Sequence, residues 1–257
     1  MRNVAADDRS SYYQNIRPEV CDLVEGRGLR VLELGCGEGR LGEELKRRGT
    51  ASSVDGVECD AAAAADAQAR LDRVHVADLD VAALRTLVTG PYDVVVTSDV
   101  LEHLRDPWAL LGEVRALLRP GGVVVASLPN VRHLSVVLPL LLRGSFAYRD
   151  EGILDRTHLR FFTRRTMVEL FTSTDFDVDL VRRRTPPGTS RGRTMALALL
   201  GDLGARQLLL RARSRPPGSA PEGSNPAEHA GSERVGDVPD ELGPLPPAEP
   251  GREEHSR

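Results

Sequence analysis

The chain has 257 residues, a formal net charge of −4, 40% hydrophobic residues and 28% charged residues. This composition is ordinary for a folded protein, and the small net charge gives no general reason to expect nucleic-acid binding. Three scattered cysteines, Cys21, Cys36 and Cys59, exclude a disulfide framework and predict a reducing, cytoplasmic setting. No stretch reaches the roughly 18 apolar residues that span a bilayer, so we expect no integral membrane segment.

Residues 1–28 are predicted to form an N-terminal capping region with one short helix. Val20, Leu23 and Val24 have helical spacing, and Pro18 stands where a helix begins. Tyr13 and Arg17 precede this helix.

Residues 31–45 predict a strand, a tight loop and a helix. Gly35, Gly37 and Gly39 allow the loop backbone to approach a ligand closely. The third glycine comes one residue too early for a dinucleotide fingerprint. The carboxylate of Glu33 beside the loop would repel a pyrophosphate and attract an ammonium group. The loop therefore favours an amino-acid-like ligand over a dinucleotide.

Acidic residues also follow the next two predicted strands. Glu58 ends residues 53–58, where a carboxylate can accept hydrogen bonds from both hydroxyls of a ribose. Asp60 is the competitor, and it is better placed to cap the alanine-rich helix at 61–71. Asp78 ends a third strand at 74–79, although it could instead cap a helix at 81–87.

The second half of this unit continues the alternation. Residues 91–98 are an apolar run typical of a buried strand, and residues 99–107 follow it with the pattern D-x-L-E-H-x-x-D-P. His103 lies just past the carboxyl end of that strand, where it could act as a general base, hold the loop or border a cofactor. A helix at 108–118, a turn at 119–122 and a strand at 123–130 complete the pattern.

Over residues 12 to about 181 the chain resembles the class I methyltransferases that use S-adenosylmethionine (SAM). The resemblance rests on E-x-G-x-G-x-G at 33–39, D-x-L-E-H at 99–103 and L-x-P-G-G at 118–122. It implies one Rossmann-like α/β domain with a mostly parallel seven-stranded twisted sheet, an antiparallel last strand and helices on both faces. It implies SAM as cofactor and S-adenosylhomocysteine as product. The implied cofactor contacts are Tyr13, Arg17, Glu33, Gly35, Cys36, Gly37, Gly39, Glu58, Cys59, Asp78, Leu79, Ser98 and Asp99.

We expect residues 29–185 to form this core, with a substrate lid at about 129–163. The segment 155–163, D-R-T-H-L-R-F-F-T, resembles a subgroup associated with glycans or secondary metabolites, and is also similar to the W-type protein of methionine biosynthesis. His158, oriented by Asp155, could remove a proton from the acceptor, and Arg156 and Arg160 could bind its carboxylate or phosphate. Alternatively, Asp155 and Arg156 form a structural ion pair and His158 is an ordinary loop residue.

Asn130 and His133 begin the lid and are assigned to the acceptor site as well. No paired carboxylates suggest a magnesium site, so we expect no metal. The final helix of the core is predicted at 163–173 with Thr163 as N-cap, followed by a strand at 176–181.

Residues 186–213 are predicted to form an arginine-rich amphipathic helix. A contact with a second copy or a partner enzyme would use 134–142 or 195–210, and the latter could also lie on the core or on a membrane surface. Residues 214–257 hold nine acids and four arginines among many prolines and glycines, which predicts a disordered tail.

The expected activity is methyl transfer from SAM to an oxygen or nitrogen, less readily a carbon, of a small molecule such as a sugar or secondary metabolite. The protein would mainly position the acceptor and remove a proton. Two rival hypotheses are a non-catalytic SAM-binding accessory protein and an NAD-dependent oxidoreductase, which the early third glycine disfavours.

Overall fold

The computed structural model describes residues 17–184 and 199–216. The predictions for Tyr13, for residues 185–198 and for the tail beyond 216 lie outside these ranges. The helices are α1 (Pro18–Cys21), α2 (Arg40–Arg47), α3 (Ala61–Ala67), α4 (Leu84–Leu87), α5 (Pro107–Leu117), α6 (Leu134–Arg143) and α7 (Arg164–Thr172), with 3₁₀ turns at Leu101–His103 and Gly201–Gly204. The strands are β1 (Leu29–Leu34), β2 (Ala51–Glu58), β3 (Arg73–Val76), β4 (Tyr92–Ser98), β5 (Leu118–Pro129), β6 (Phe176–Arg183) and β7 (Gln207–Ser214).

The seven strands form one sheet in the order β3-β2-β1-β4-β5-β7-β6. Strands β1 to β5 pair in parallel, while β7 is antiparallel to both β5 and β6. Successive residues of β1 face opposite cores: Leu32 and Leu34 join the cluster that includes α4, α5 and α7, whereas Val31 joins the cluster that includes α1, α2 and α3. The predicted mostly parallel sheet with helices on both faces is therefore confirmed.

The strand order reverses next to β1, and this reversal places the site. Chain connections run one way from β1 to β2 and β3, and the other way from β4 to β5, so a crevice opens between β1 and β4 at their carboxyl ends. Leu34 pairs with Thr97 at this edge. The loop after β1, the end of β2 and the segment after β4 all converge here.

The seventh strand lies in a segment for which the sequence predicted a helix. Leu208, Leu209 and Leu210 belong to β7 and are buried between β5 and β6. The prediction of an amphipathic helix at 186–213 is wrong for residues 207–213, because consecutive apolar residues suit a strand covered on both faces. Residues 207–210 are consequently inside the sheet and cannot form the predicted interface.

The folded domain also continues past the predicted start of the disordered tail. Ser214 ends β7, and Arg215 is 9% exposed, with its Nη2 atom 2.7 Å from Asp177 Oδ1. The boundary predicted at 214 is therefore early by at least two residues.

The apolar run at 134–142 forms α6, which buries Val136 against Ile153 and Leu154. Its other leucines, Leu138, Leu140, Leu141 and Leu142, are exposed. Across residues 17–184 and 199–216, every helix is too short or too polar to cross a bilayer.

Candidate active site

The loop between β1 and α2 has the backbone shape that its glycines predicted. Gly35, Gly37 and Gly39 all have positive φ, at 66°, 53° and 77°. A Cβ on Gly35 would lie 2.4 Å from Cγ2 of Val100, so the segment after β4 packs directly on this glycine. The loop therefore exposes backbone where a side chain would block the crevice.

Glu33 lies beneath the glycine loop and is 5% exposed. Its Oε2 atom accepts a hydrogen bond from Gly42 N at 3.1 Å, which joins β1 to the first turn of α2. Burial raises the pKa of Glu33 to about 8, the Gly42 hydrogen bond opposes this rise, and the Glu58 carboxylate adds to it. The carboxyl group thus supports the loop from below.

Glu58 ends β2 and accepts a hydrogen bond from the same loop. Its Oε2 atom accepts from Gly37 N at 2.9 Å, and Oε1 accepts from Cys59 N and Asp60 N, each at 2.9 Å. Asp60 itself caps α3, because Oδ1 accepts from Ala62 N and Ala63 N. The two acids have therefore divided the roles that the sequence left open: Asp60 is the cap, and Glu58 is the carboxylate at the strand end.

The remaining cofactor candidates of this half differ in exposure. Cys36 is buried in the loop, and burial raises its pKa well above the usual range. Cys59 is exposed, and partial burial beside Glu58 raises its pKa to about 11, so neither thiol is a ready nucleophile. Asp78 follows β3 and accepts from Asp80 N at 3.0 Å, while Leu79 is half-buried against the core.

An ion pair closes the other side of the crevice. Asp99 has a positive φ of 54° and forms a salt bridge with Arg17, which precedes α1. Arg17 Nη1 also lies 3.5 Å from Ser127 Oγ. Gln207 of β7 donates to Asp99 as well. The buried Ser98 Oγ has no hydrogen-bond partner among the described residues, so a polar donor or acceptor remains available at this edge.

Glu102 is a buried acid of the D-x-L-E-H motif to which the sequence alone assigns no role. It is 1% exposed, and neither carboxylate oxygen meets a hydrogen-bond partner among the described residues. Burial raises the pKa of Glu102 well above its usual range, and the charge of Asp99 raises it further. Its backbone carbonyl accepts from Leu159 N at 2.8 Å and from Arg160 N at 3.0 Å. The signal that could have found it is an acid set between the apolar residues Leu101 and Leu104.

Those two hydrogen bonds bring the lid segment 155–163 against the turn after β4. The rings of His103 and His158 meet edge to face, with centroids 4.7 Å apart. Burial, followed by the neighbouring His158, lowers the pKa of His103. The two predicted catalytic histidines are therefore adjacent, although 55 residues separate them in the sequence.

Asp155 does not orient the His158 ring as predicted. The Nδ1 atom of His158 lies 3.0 Å from Ile153 O, whereas Asp155 Oδ1 accepts from Thr157 N at 2.8 Å and from Thr157 Oγ1 at 2.7 Å. Thr157 O lies 3.3 Å from Nδ1 of His103. Asp155 therefore shapes the turn that holds His103.

The two arginines of the lid segment have protein partners. Arg156 pairs with Asp150, with Nε 2.9 Å from Oδ1, and both side chains are exposed. This replaces the alternative pair with Asp155. Arg160 donates to the carbonyl of Arg105 and lies over the ring of Trp108, with a centroid distance of 5.6 Å.

Asn130 and His133, both predicted to contact the acceptor, each make structural hydrogen bonds, and the acceptor contact of the half-buried His133 stays a prediction. Asn130 is 0% exposed, and its Nδ2 atom donates to Asp202 O at 2.6 Å and Ala205 O at 2.8 Å. This amide anchors the segment that leads into β7. His133 is the N-cap of α6, where Nδ1 accepts from Ser135 N at 3.1 Å.

Comparison with known proteins agrees with this arrangement. A family model described as a methyltransferase domain matches residues 8–181. The chain belongs to this methyltransferase family. The glycine loop, the Glu58 strand end and the turn with Glu102 and His103 all lie inside the matched region.

Two curated relatives cover part of this methyltransferase. It is 34% identical over 152 residues to a probable S-adenosylmethionine-dependent methyltransferase from Mycolicibacterium smegmatis, covering 59% of this chain and 53% of the relative. It is 38% identical over 134 residues to a ubiquinone biosynthesis O-methyltransferase from Psychrobacter cryohalolentis, covering 47% and 52%. The chain thus spans about half the length of these curated relatives.

Solved structures share the fold at low sequence identity. An S-adenosylmethionine-dependent methyltransferase from Mesorhizobium loti aligns with a TM-score of 0.56 at 22% identity, covering 76% of this chain and 96% of that one. A putative methyltransferase from Haloferax volcanii, in complex with the Trm112 methyltransferase activator, aligns with a TM-score of 0.61 at 14% identity, covering 82% and 93%. These likenesses support the seven-stranded α/β architecture alone.

Proposed function

We propose that this methyltransferase transfers a methyl group from SAM to an oxygen atom of a small molecule. The observation that carries the proposal is the glycine loop held by the Glu58 carboxylate at the reversal of strand order, with two histidines across the crevice. The choice of oxygen over nitrogen draws support from the relative named as a ubiquinone biosynthesis O-methyltransferase. A sugar or secondary metabolite, as the sequence predicted, remains within this acceptor class.

The residues fit SAM at three places. The backbone of Gly35 and Gly37 would accommodate the amino-acid end, because positive φ and missing side chains leave the loop open. Glu58 would exchange its bonds to backbone amides for bonds from the ribose hydroxyls. Asp78, with Leu79 beside it, would face the adenine.

SAM supplies the methyl group on a sulfonium that is already a good leaving group. The protein then has to bring the acceptor oxygen in line and deal with its proton. Arg17 and Asp99 keep their predicted place among the cofactor contacts, and the histidine pair beyond Asp99 would face the acceptor. A cavity of about 290 Å³ under α6 is lined by Ile153, Arg149 and Arg206. Because the carbonyl of Ile153 also contacts Nδ1 of His158, this cavity would hold the rest of the molecule.

Calorimetry with SAM and with NAD tests the cofactor. We expect SAM to bind and NAD not to bind; NAD binding without SAM binding would overturn the proposal. A pooled screen of hydroxylated small molecules, read by mass spectrometry for the gain of one methyl group, tests the reaction. SAM binding without turnover of any acceptor would favour the accessory-protein hypothesis.

A further inference from the structure

Three side chains with metal-binding atoms cluster beside the proposed cofactor site. Glu102, His103 and His158 each place one ligand atom within 4.8 Å of the others. They come from two segments, the 3₁₀ turn after β4 and the lid, which the Glu102 carbonyl joins. Two imidazoles and one carboxylate form a donor set that binds first-row divalent cations and leaves positions open for another ligand.

The buried carboxylate gives an independent reason to expect a cation here. Glu102 is 1% exposed, and neither oxygen has a hydrogen-bond partner among the described residues. Burying a polar carboxyl group without a hydrogen-bond partner is costly, and the carboxylates that proteins do bury are paired or coordinate metals. A cation among these three groups would supply the missing partner.

The backbone also sets both rings to act as ligands. Nδ1 of His103 lies 3.3 Å from Thr157 O, and Nδ1 of His158 lies 3.0 Å from Ile153 O. A carbonyl can only accept, so each Nδ1 carries the proton and each Nε2 keeps a free lone pair. Histidine ligands of metals are commonly fixed in this manner by a backbone carbonyl.

The spacing of the three groups suits one shared ion. With metal–ligand bonds of about 2.0–2.2 Å, ligand atoms can be at most about 4.4 Å apart. The three ligand atoms all lie within 4.8 Å of one another, so side-chain movements of a few tenths of an ångström at most would bring every pair into this range.

We propose that Glu102, His103 and His158 bind one first-row divalent cation of the Zn²⁺ or Mn²⁺ class, and that this cation holds the acceptor oxygen for methylation. The second clause rests on the proposed function, whereas cation binding does not. In the reaction the acceptor O–H bond breaks and its proton leaves to water, the new C–O bond forms as the S–CH₃ bond breaks, and S-adenosylhomocysteine departs. Under this proposal the histidines act as ligands rather than as general bases, which differs from the expectation of no metal drawn from the sequence.

The test begins with the untagged full chain, stripped with chelator and titrated with Co²⁺, Zn²⁺ or Mg²⁺. We expect one Co²⁺ or Zn²⁺ per chain by mass spectrometry of the metal, with visible Co²⁺ absorption bands that Zn²⁺ abolishes. Mg²⁺ should compete poorly, because imidazole ligands suit the later metals. Retention of no metal by the wild-type chain would overturn the proposal.

Variants then locate the ion. Glu102→Gln, which keeps the side-chain shape, and His158→Ala should each weaken Co²⁺ binding at least about 100-fold, since loss of an outer-shell partner alone costs about 10- to 100-fold. His75→Ala on β3 is the matched control and should bind as wild type. Equal binding by wild type and Glu102→Gln would place the ion elsewhere and overturn the proposal.

SAM calorimetry on the stripped protein separates this proposal from the preceding one. If the stripped protein binds SAM but takes up no metal in the titration, the cation site is overturned and the methyltransferase function stands. Metal binding without SAM binding would overturn the proposed methyltransferase function and leave the cation site standing. Restoration of turnover by Zn²⁺ or Mn²⁺ in wild type, and not in Glu102→Gln, is the result expected for the role in holding the acceptor.

Discussion

Glu58 Oε2 accepts a hydrogen bond from Gly37 N at 2.9 Å and so connects the end of β2 to the glycine loop that follows β1. The two residues come from different βα units, so their contact connects the loop to the neighbouring strand. Under the proposed function, a nucleoside that binds at Glu58 competes with a backbone amide for the same carboxylate.

Glu58→Ala should weaken SAM binding by about 10- to 100-fold, because a hydrogen bond to a charged group contributes about 1.5–3 kcal/mol. Asp60→Ala, two residues away, is the matched control: it removes the cap of α3, costs about 1 kcal/mol of unfolding free energy and should leave SAM affinity within about twofold. Calorimetry and urea unfolding measure the two effects. Equal affinity losses in both variants would contradict the assigned roles.

Gly35→Ala should abolish measurable SAM binding, since its Cβ would lie 2.4 Å from Val100 Cγ2 at a φ of 66°. Gly49→Ala has a comparable φ of 70° and nothing within 4 Å of the added Cβ, so it isolates the backbone strain, about 1–2 kcal/mol. The double variant Gly35→Ala/Val100→Ala should recover part of the binding. Failure of Gly35→Ala to differ from Gly49→Ala would argue against a tight contact at Val100.

Glu33 should make stability depend on pH. In the folded protein the pKa of Glu33 is about 8, above the unfolded value near 4.5. The contribution of the protonated Glu33 to the free energy of unfolding is therefore complete below about pH 4.5 and is lost as the pH rises through 8. Glu33→Gln keeps a side-chain oxygen that can accept from Gly42 N but cannot ionise. Between pH 5 and pH 9 its free energy of unfolding should therefore fall by a few kcal/mol less than that of wild type. Urea unfolding across this range measures it, with the exposed Glu43→Gln as control. Parallel pH profiles of Glu33→Gln and wild type would show that Glu33 ionises normally.

Asn130→Ala should destabilise the fold by about 2–3 kcal/mol, because it leaves the buried Ala205 O and the partly buried Asp202 O without their shared donor. His133→Ala removes only the cap of α6 and should cost about 1 kcal/mol. The midpoints of urea unfolding of the Asn130→Ala and His133→Ala variants measure the two losses of stability. An Asn130→Ala protein of normal stability with a raised KM for the acceptor would restore Asn130 to the acceptor site.

The sequence predicted the first five strands and the acids at the carboxyl edge well. The first four strands end at or within two residues of a glycine or an acid, and β5 is marked by the apolar run after the turn at 119–122. It missed β7, since Leu208, Leu209 and Leu210 are buried on both faces of the sheet and lack the alternation that marks a strand with one wet face. It also missed the partners of the lid residues. Which carbonyl faces His158, or which acid pairs with Arg156, depends on tertiary contacts that no local pattern records.

The carbonyl of Glu102 accepts from both Leu159 N and Arg160 N, and this bifurcated contact has a consequence for engineering. Exchange of the lid segment between relatives would have to splice outside residues 155–163 and carry the turn at 99–104 with it. The two stretches are 50 residues apart in the gene yet behave as one exchangeable module. A chimera that takes only one of the two stretches would disrupt the hydrogen bonds from Leu159 N and Arg160 N to Glu102 O, and both histidines would lose their positions.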